Sequence, residues 1–273
     1  MPGRVRILLA YQGSRYSGWQ VQPEKVTIQG LLQEAYRRMT GRETVMQAAA
    51  RTDAGVHAER QLVCFDNPSR HPPDKLLEGL NHHLPEDVAI IGAETVEEGF
   101  DPRRRAAGKH YRYVIWNRRI RPVFSRELCW HIRQPLQLHV MNQAGAILVG
   151  EHDFSAFRAS GCTASSPVRR LDYLAWRQDG PFVVCDAWGR AFLKQMVRNM
   201  VGTLVEVGRG RLPPEAVSEI LAARDRRRAG PTAPARGLCL VKVYLDEEEY
   251  RADAAIPRAG PEAAADILPL RSL

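Results

Sequence analysis

The stretch Arg51–Phe65, "RTDAGVHAERQLVCF", decides how this chain is read. A charged pair, Arg51 and Asp53, precedes Gly55 and His57, and the run ends in the apolar "QLVCF" of a buried strand. Gly55 marks a turn, because glycine takes backbone angles that other residues avoid. A carboxylate and a guanidinium therefore stand at the mouth of an apolar strand. On residue type alone, Asp53 is a turn aspartate that satisfies backbone N–H groups. Its company supports a second reading, a reactive carboxylate held at a sheet edge beside a cation.

Outward from this stretch, strands and helices are mixed without the regular alternation of a doubly wound sheet. "QAAARTDAG" and "QLVCFD" are strand candidates on either side of the turn, and "RVRILLAY" alternates as a strand. Thr27 is placed to cap a helix carrying Ile28, Leu31, Leu32, Ala35, Tyr36 and Met39, closed by Gly41. "PDKLLEGLNHHL" reads as a second helix and "VAIIGAETV" as a further strand. The pattern restarts after a basic stretch: "HYRYVIW", "VRRLDYLAW", "FVVCDAW" and "LCLVKVYL" read as strands, and "LHVMNQAGAILVG" as a helix. "AFLKQMVRNMVGTLVEV" carries a wide apolar helical stripe, and Pro213-Pro214 opens another helix. The expected architecture is α+β, with two sheet-bearing halves of mainly antiparallel or mixed sheets. The expected division is 1–105, 106–250 and an Ala- and Pro-rich tail at 251–273, expected to be flexible.

Composition narrows the function. A chain of 273 residues with 44% hydrophobic and 26% charged residues buries a real core. No apolar run is long enough to cross a bilayer, so no membrane partner is expected. Five cysteines, widely spaced and without a CxxC pair, argue for a reducing cytoplasmic setting rather than a disulfide framework. Lys+Arg outnumber Asp+Glu by 39 to 31, a net charge of +8. Only five of the basic residues are lysine, and the arginines cluster at 103–105, at 118, 119 and 121, and at 226–228. Such a surface attracts a polyanion. A solvated, arginine-rich face fits the same composition.

No GxGxxG, Walker loop, HExxH or GxSxG occurs, so no cofactor and no metal is expected.

The blocks around Asp53 carry a resemblance that spacing alone does not give. "RTDAGVHA" resembles the catalytic-aspartate motif of the bacterial tRNA pseudouridine synthase A family. "YQGSRYSGWQVQ" is similar to that family's N-terminal stretch, "KHYRYVIWN" to its basic-Tyr-Arg-Tyr strand, and "HDFSAFRASGC" to its central loop. "FLKQMVRNMVG" is similar to its arginine-bearing helix and "AGPTAPARGLCLVKV" to its C-terminal block. The blocks are collinear from about Ala10 to Tyr244. Ala50 stands where the family usually has glycine, Gln12 where it often has aspartate, and Cys239 where an aromatic is common.

The resemblance implies a cofactor-free isomerase with the pseudouridine synthase fold, its two halves meeting at a basic cleft. It implies a homodimer that converts uridines 38, 39 and 40 of the tRNA anticodon stem-loop. Asp53 is then the nucleophile or base. Tyr111, Arg51 and Arg198 are substrate-binding, with Arg51 supporting the flipped nucleotide and Arg198 facing a cleft from the polar side of its helix. Arg103, Arg104, Arg105 and Lys109 are expected on the RNA backbone. Two competing classes are a metal hydrolase built on Asp53 and His57, and a tRNA-binding protein without catalysis. The first needs more ligands than the motif supplies, and the second leaves the ordered Arg-Thr-Asp unexplained.

Overall fold

Alternation of Val5, Ile7, Leu9 and Tyr11 with more exposed neighbours gives the first strand, β1 (Gly3–Tyr11), whose inward side chains are all buried. The computed structural model describes residues 3–255. After β1 come α1 (Ile28–Thr40), β2 (Gln47–Ala48), β3 (His57–Asn67), α2 (Pro73–His83), β4 (Val88–Val96) and the short α3 (Pro102–Arg105). Then follow β5 (Gly108–Trp116), β6 (Trp130–His131), α4 (Leu138–Ala146), β7 (Gly150–Asp153), β8 (Val168–Asp179) and β9 (Phe182–Gly189). The described chain ends with α5 (Met196–Gly208), α6 (Ala216–Ala223), β10 (Leu238–Tyr244) and α7 (Glu247–Ala255). The fold class is α+β.

The chain divides into two units, residues 1–111 with 238–247, and residues 112–237 with 248–273. This differs from the expected cut at 105/106 in two ways. The division falls within β5, and the last strand returns to the first unit. The physical cause is pairing: β10 runs parallel to the start of β3, with Cys239 opposite His57 and Leu240 opposite Ala58. A sequence pattern records a strand but not which distant strand receives it.

In the first unit the strand order is β4-β1-β3-β10, with β2 on β3. β1 pairs antiparallel with β3 and with β4. Thr27 caps α1 by accepting from the Gly30 N–H at 3.3 Å, and Gly41 ends the helix at φ 66°. In the second unit the order is β5-β9-β8-β7, with β6 on β5. β8 and β9 form an antiparallel hairpin closed at Gly180-Pro181.

Three expectations shift. Of "QAAARTDAG" only Gln47–Ala48 is strand, because the chain beyond it bonds to a side chain and to another loop. The helix expected from Ala191 starts at Met196, since Gln195 adopts the left-handed conformation at φ 60°. Of the expected flexible tail, Arg251–Ala255 are helical in α7; positions 256–273 lie outside the described residues.

Candidate active site

The segment from Ala49 to Val56 leaves the sheet between β2 and β3 and is held at several points by main-chain hydrogen bonds. The Val56 N–H donates to the Asp53 carbonyl at 3.2 Å, closing a turn in which Gly55 takes φ 80°. The Trp19 N–H donates to the Thr52 carbonyl at 3.1 Å, and the Gly55 N–H to the Tyr16 carbonyl at 3.2 Å. Backbone therefore lies directly on backbone. A Cβ at Gly13 would sit 1.9 Å from the Val56 carbonyl oxygen, and one at Gly18 would sit 2.7 Å from the Thr52 oxygen. The glycines of "YQGSRYSGW" are there to let the Asp53 segment approach.

Side chains complete the support. The Tyr11 hydroxyl and Thr52 Oγ1 share a 2.8 Å hydrogen bond, and the Gly13 N–H donates to His57 Nδ1 at 3.0 Å. Tyr16 donates its hydroxyl to Asp87 Oδ1. Burial, followed by the Asp87 carboxylate, pushes that phenol above its ordinary range. His57 is thus occupied in holding the glycine turn. Ala50, where the family usually has glycine, is buried and outside the left-handed region, so its methyl group introduces no backbone strain.

Within the same unit Asp53 is half-buried and Arg51 is exposed. Tyr111 on β5 is 8% exposed, and burial pushes its phenol above the ordinary range; Tyr11, Asp53 and Cys239 add to the rise. Tyr11, buried beneath the loop, is raised by the same desolvation, against hydrogen bonds with Thr52 and Gln61 that lower it. Arg103, Arg104 and Arg105 form α3, capped by Asp101, whose carboxylate accepts from the Arg103 and Arg104 N–H groups. All three are exposed, Arg105 pairs with Glu97, and Lys109 is half-buried on β5.

In the second unit Arg198 lies in the first turn of α5. Its Nε donates to the Ala233 carbonyl at 2.8 Å, and the Ala233 N–H donates to the Arg198 carbonyl at 3.1 Å. Arg198 is the residue expected to face a cleft from the polar side of this helix. Beside it, Asn199 and Gly202 lie under the 229–234 segment, and a Cβ at Gly202 would meet the Pro231 oxygen at 1.7 Å. Asn199 is fully buried, donates to the Phe157 carbonyl at 2.8 Å, and accepts from Arg226 and Thr232 at 3.1 and 2.7 Å. Thr203 accepts from the Gly230 N–H at 2.9 Å. Burial pushes the Tyr113 phenol of β5 well up, while the Arg198 and Arg236 guanidiniums act against that rise.

Residue-type reasoning passed over Gln61, Thr52, Tyr11, Asn199 and Arg226. Only Arg226 carried a signal, as one of three consecutive arginines, and its role differs from theirs. Arg227 and Arg228 are exposed and pair with Asp225 and Glu219. Arg226 turns inward, donating to the Ala229 and Gly230 carbonyls, Asn199 and Thr232. Among the described residues no three His, Cys, Asp or Glu side chains are grouped to hold a metal ion, and no helix is long and apolar enough to cross a membrane.

A half-buried carboxylate on a turn held by main-chain hydrogen bonds fits the family whose model, described as tRNA pseudouridine synthase, matches residues 7–103 and 144–246. The chain belongs to the tRNA pseudouridine synthase family. Its relatives are named tRNA pseudouridine synthase A. That of Myxococcus xanthus is 49% identical over 242 residues, covering 88% of this chain and 91% of the relative. That of Moorella thermoacetica is 49% identical over 245 residues, covering 88% and 98%. That of Aeromonas hydrophila is 42% identical over 255 residues, covering 93% of each.

Proposed function

We propose that this chain converts uridine to pseudouridine at positions 38, 39 and 40 of the tRNA anticodon stem-loop, with Asp53 as the reacting carboxylate. The observation that carries this reading is the Asp53 turn. Its carboxylate is half-buried on a backbone fixed by the Tyr16–Trp19 segment, and its charge reaches the buried Tyr111. The reaction breaks the bond from ribose C1′ to N1 of uracil, turns the ring and forms the bond from C1′ to C5. The C5 hydrogen leaves as a proton and N1 gains one. No electrons are exchanged. Asp53 either adds to the substrate or removes a ribose proton, and both roles require it ionised.

The target uridine must leave the stack, at a cost of a few kcal/mol. Exposed Arg51, two residues before Asp53, is assigned to support the displaced nucleotide. The Tyr111 ring is assigned to the flipped base, where aromatic stacking is tolerant of sequence. Arg198 belongs to the substrate-binding set by its match to the family helix. Arg103, Arg104, Arg105 and Lys109 are assigned to the RNA backbone. The partner is tRNA, the assembly a homodimer and the compartment the cytoplasm.

The test is incubation with unmodified tRNA transcript, followed by pseudouridine mapping at nucleotide resolution. Pseudouridine at 38–40 with the wild type and none with Asp53→Ala is expected. Equal modification by Asp53→Ala would remove Asp53 from the chemistry. Light scattering reads the assembly state.

A further inference from the structure

Where β2 stops pairing, a side chain takes over from the main chain. Ala48 pairs with Val63, and the Ala49 N–H still donates to the Leu62 carbonyl at 2.8 Å. One step further, Gln61 replaces a strand partner with its carboxamide. Its Nε2 donates to the Ala50 carbonyl at 2.7 Å, and its Oε1 accepts from the Ala50 N–H at 3.3 Å. Both polar groups of Ala50 are satisfied although the chain is already leaving the sheet. Gln61 is 0% exposed and sits on β3 opposite Leu9. The neighbouring β1 carries Tyr11, whose hydroxyl shares a hydrogen bond with Thr52 Oγ1 at 2.8 Å.

We propose that Gln61 is a positioning residue for the reacting carboxylate: by holding Ala50 it fixes the Arg51-Thr52-Asp53 segment at the place where chemistry occurs. The role rests on the proposed function of Asp53. It goes beyond fold support because the segment it holds is three residues from the reacting group. Without the clamp, Ala50 loses a two-point anchor and Asp53 moves with it. A misplacement of about 1 Å at a reacting group lowers turnover by as much as about 100-fold. Binding of tRNA, spread over many phosphates, does not depend on that placement.

Two variants test this. Gln61→Leu keeps the bulk and removes both hydrogen bonds. Gln61→Glu keeps the shape but changes the donor pattern with pH. A protonated glutamic acid offers one donor and one acceptor, as the amide does toward Ala50; an ionised one only accepts and faces the Ala50 carbonyl. Burial raises the pKa of such a carboxyl group. Tyr11 of β1 stays neutral at the pH values used, because burial holds its phenol above the ordinary range.

Single-turnover pseudouridine formation and tRNA affinity are measured on folded protein, checked by circular dichroism, between pH of about 6 and about 9. Gln61→Leu is expected to lose about 10- to 100-fold in turnover with tRNA affinity within about twofold. Gln61→Glu is expected to match Gln61→Leu at high pH and to recover toward wild type as pH falls. Wild-type turnover by a folded Gln61→Leu enzyme overturns the proposal, and so does a ratio of Gln61→Glu to wild type that does not change with pH. If Gln61→Leu does not fold, Gln61→Glu alone decides. An inactive wild type sinks the proposed function instead, so the two failures are distinguishable.

Discussion

Asp53 sits on a segment that has left the sheet, whereas Arg198 sits inside a helix whose polar side is covered by another segment. The first is held by backbone approaching backbone, with Gly13 and Gly18 as the points of closest contact. The second is held mainly by a buried polar hub, in which Asn199 joins Phe157, Arg226 and Thr232, with one steric contact at Gly202. The difference shows two routes to rigidity. Steric contact leaves no room for one added methyl group. A hydrogen-bond hub tolerates change in proportion to the bonds lost.

The largest expected effect is chemical. Asp53→Ala removes a carboxylate but no positive charge, so turnover should fall below detection while tRNA binding persists in a filter assay. Arg51→Ala should bind with modest loss and turn over slowly, and a substrate with the target uridine already unpaired should recover part of its rate. The same substrate should do nothing for Asp53→Ala.

Next come the steric contacts. Gly13→Ala forces a Cβ into the Val56 carbonyl and Gly202→Ala forces one into the Pro231 carbonyl. Each should destabilise its unit by about 3 kcal/mol or more, read as a shifted urea midpoint. A shift under about 1 kcal/mol for either would mean that the segment relaxes freely.

The hub should respond less. Asn199→Ala leaves the buried Phe157 carbonyl without its donor and the half-buried Arg226 and Thr232 without an acceptor, and should cost about 2–3 kcal/mol. Arg226→Ala removes four hydrogen bonds to the 229–232 segment and Asn199, and should cost on the order of 2 kcal/mol. Arg227→Ala, from the same run, should leave the midpoint unchanged, because its pair with Asp225 is exposed. Equal effects of the two arginine variants would break the distinction between clamp and surface charge.

The smallest effect lies at exposed ion pairs. Hydrogen bonds from Arg37 and Arg38 pull the Glu34 carboxyl down to about 2. A depressed folded pKa gives a contribution that is present above the ordinary carboxylate range and fades as pH falls toward about 2. A carboxyl NMR titration of Glu34 with an ordinary midpoint would remove that pairing.

Local order was legible in the sequence. Alternation gave β1, apolar runs gave β8 and β9, and Thr27 and Gly41 marked both ends of α1 as capping chemistry requires. The "RTDAG" turn announced a carboxylate on a fixed bend, and the collinear blocks announced the family. These signals are short-range, since strand period, helix period, caps and turns depend on residues within a few positions of each other.

Partner choice was not legible, and the tertiary structure alone decided it. Nothing near Gln61 indicates that its amide bonds Ala50, 11 residues earlier, in place of a strand. Asn199 and Arg226 meet across 27 positions, and Asn199 and Thr232 across 33. The return of β10 to β3 is longer still. A polar residue has the same composition signal whether it faces water or a buried carbonyl. What separates the two is the cost of leaving a buried polar group unpaired, and that cost exists only once the chain has folded around it.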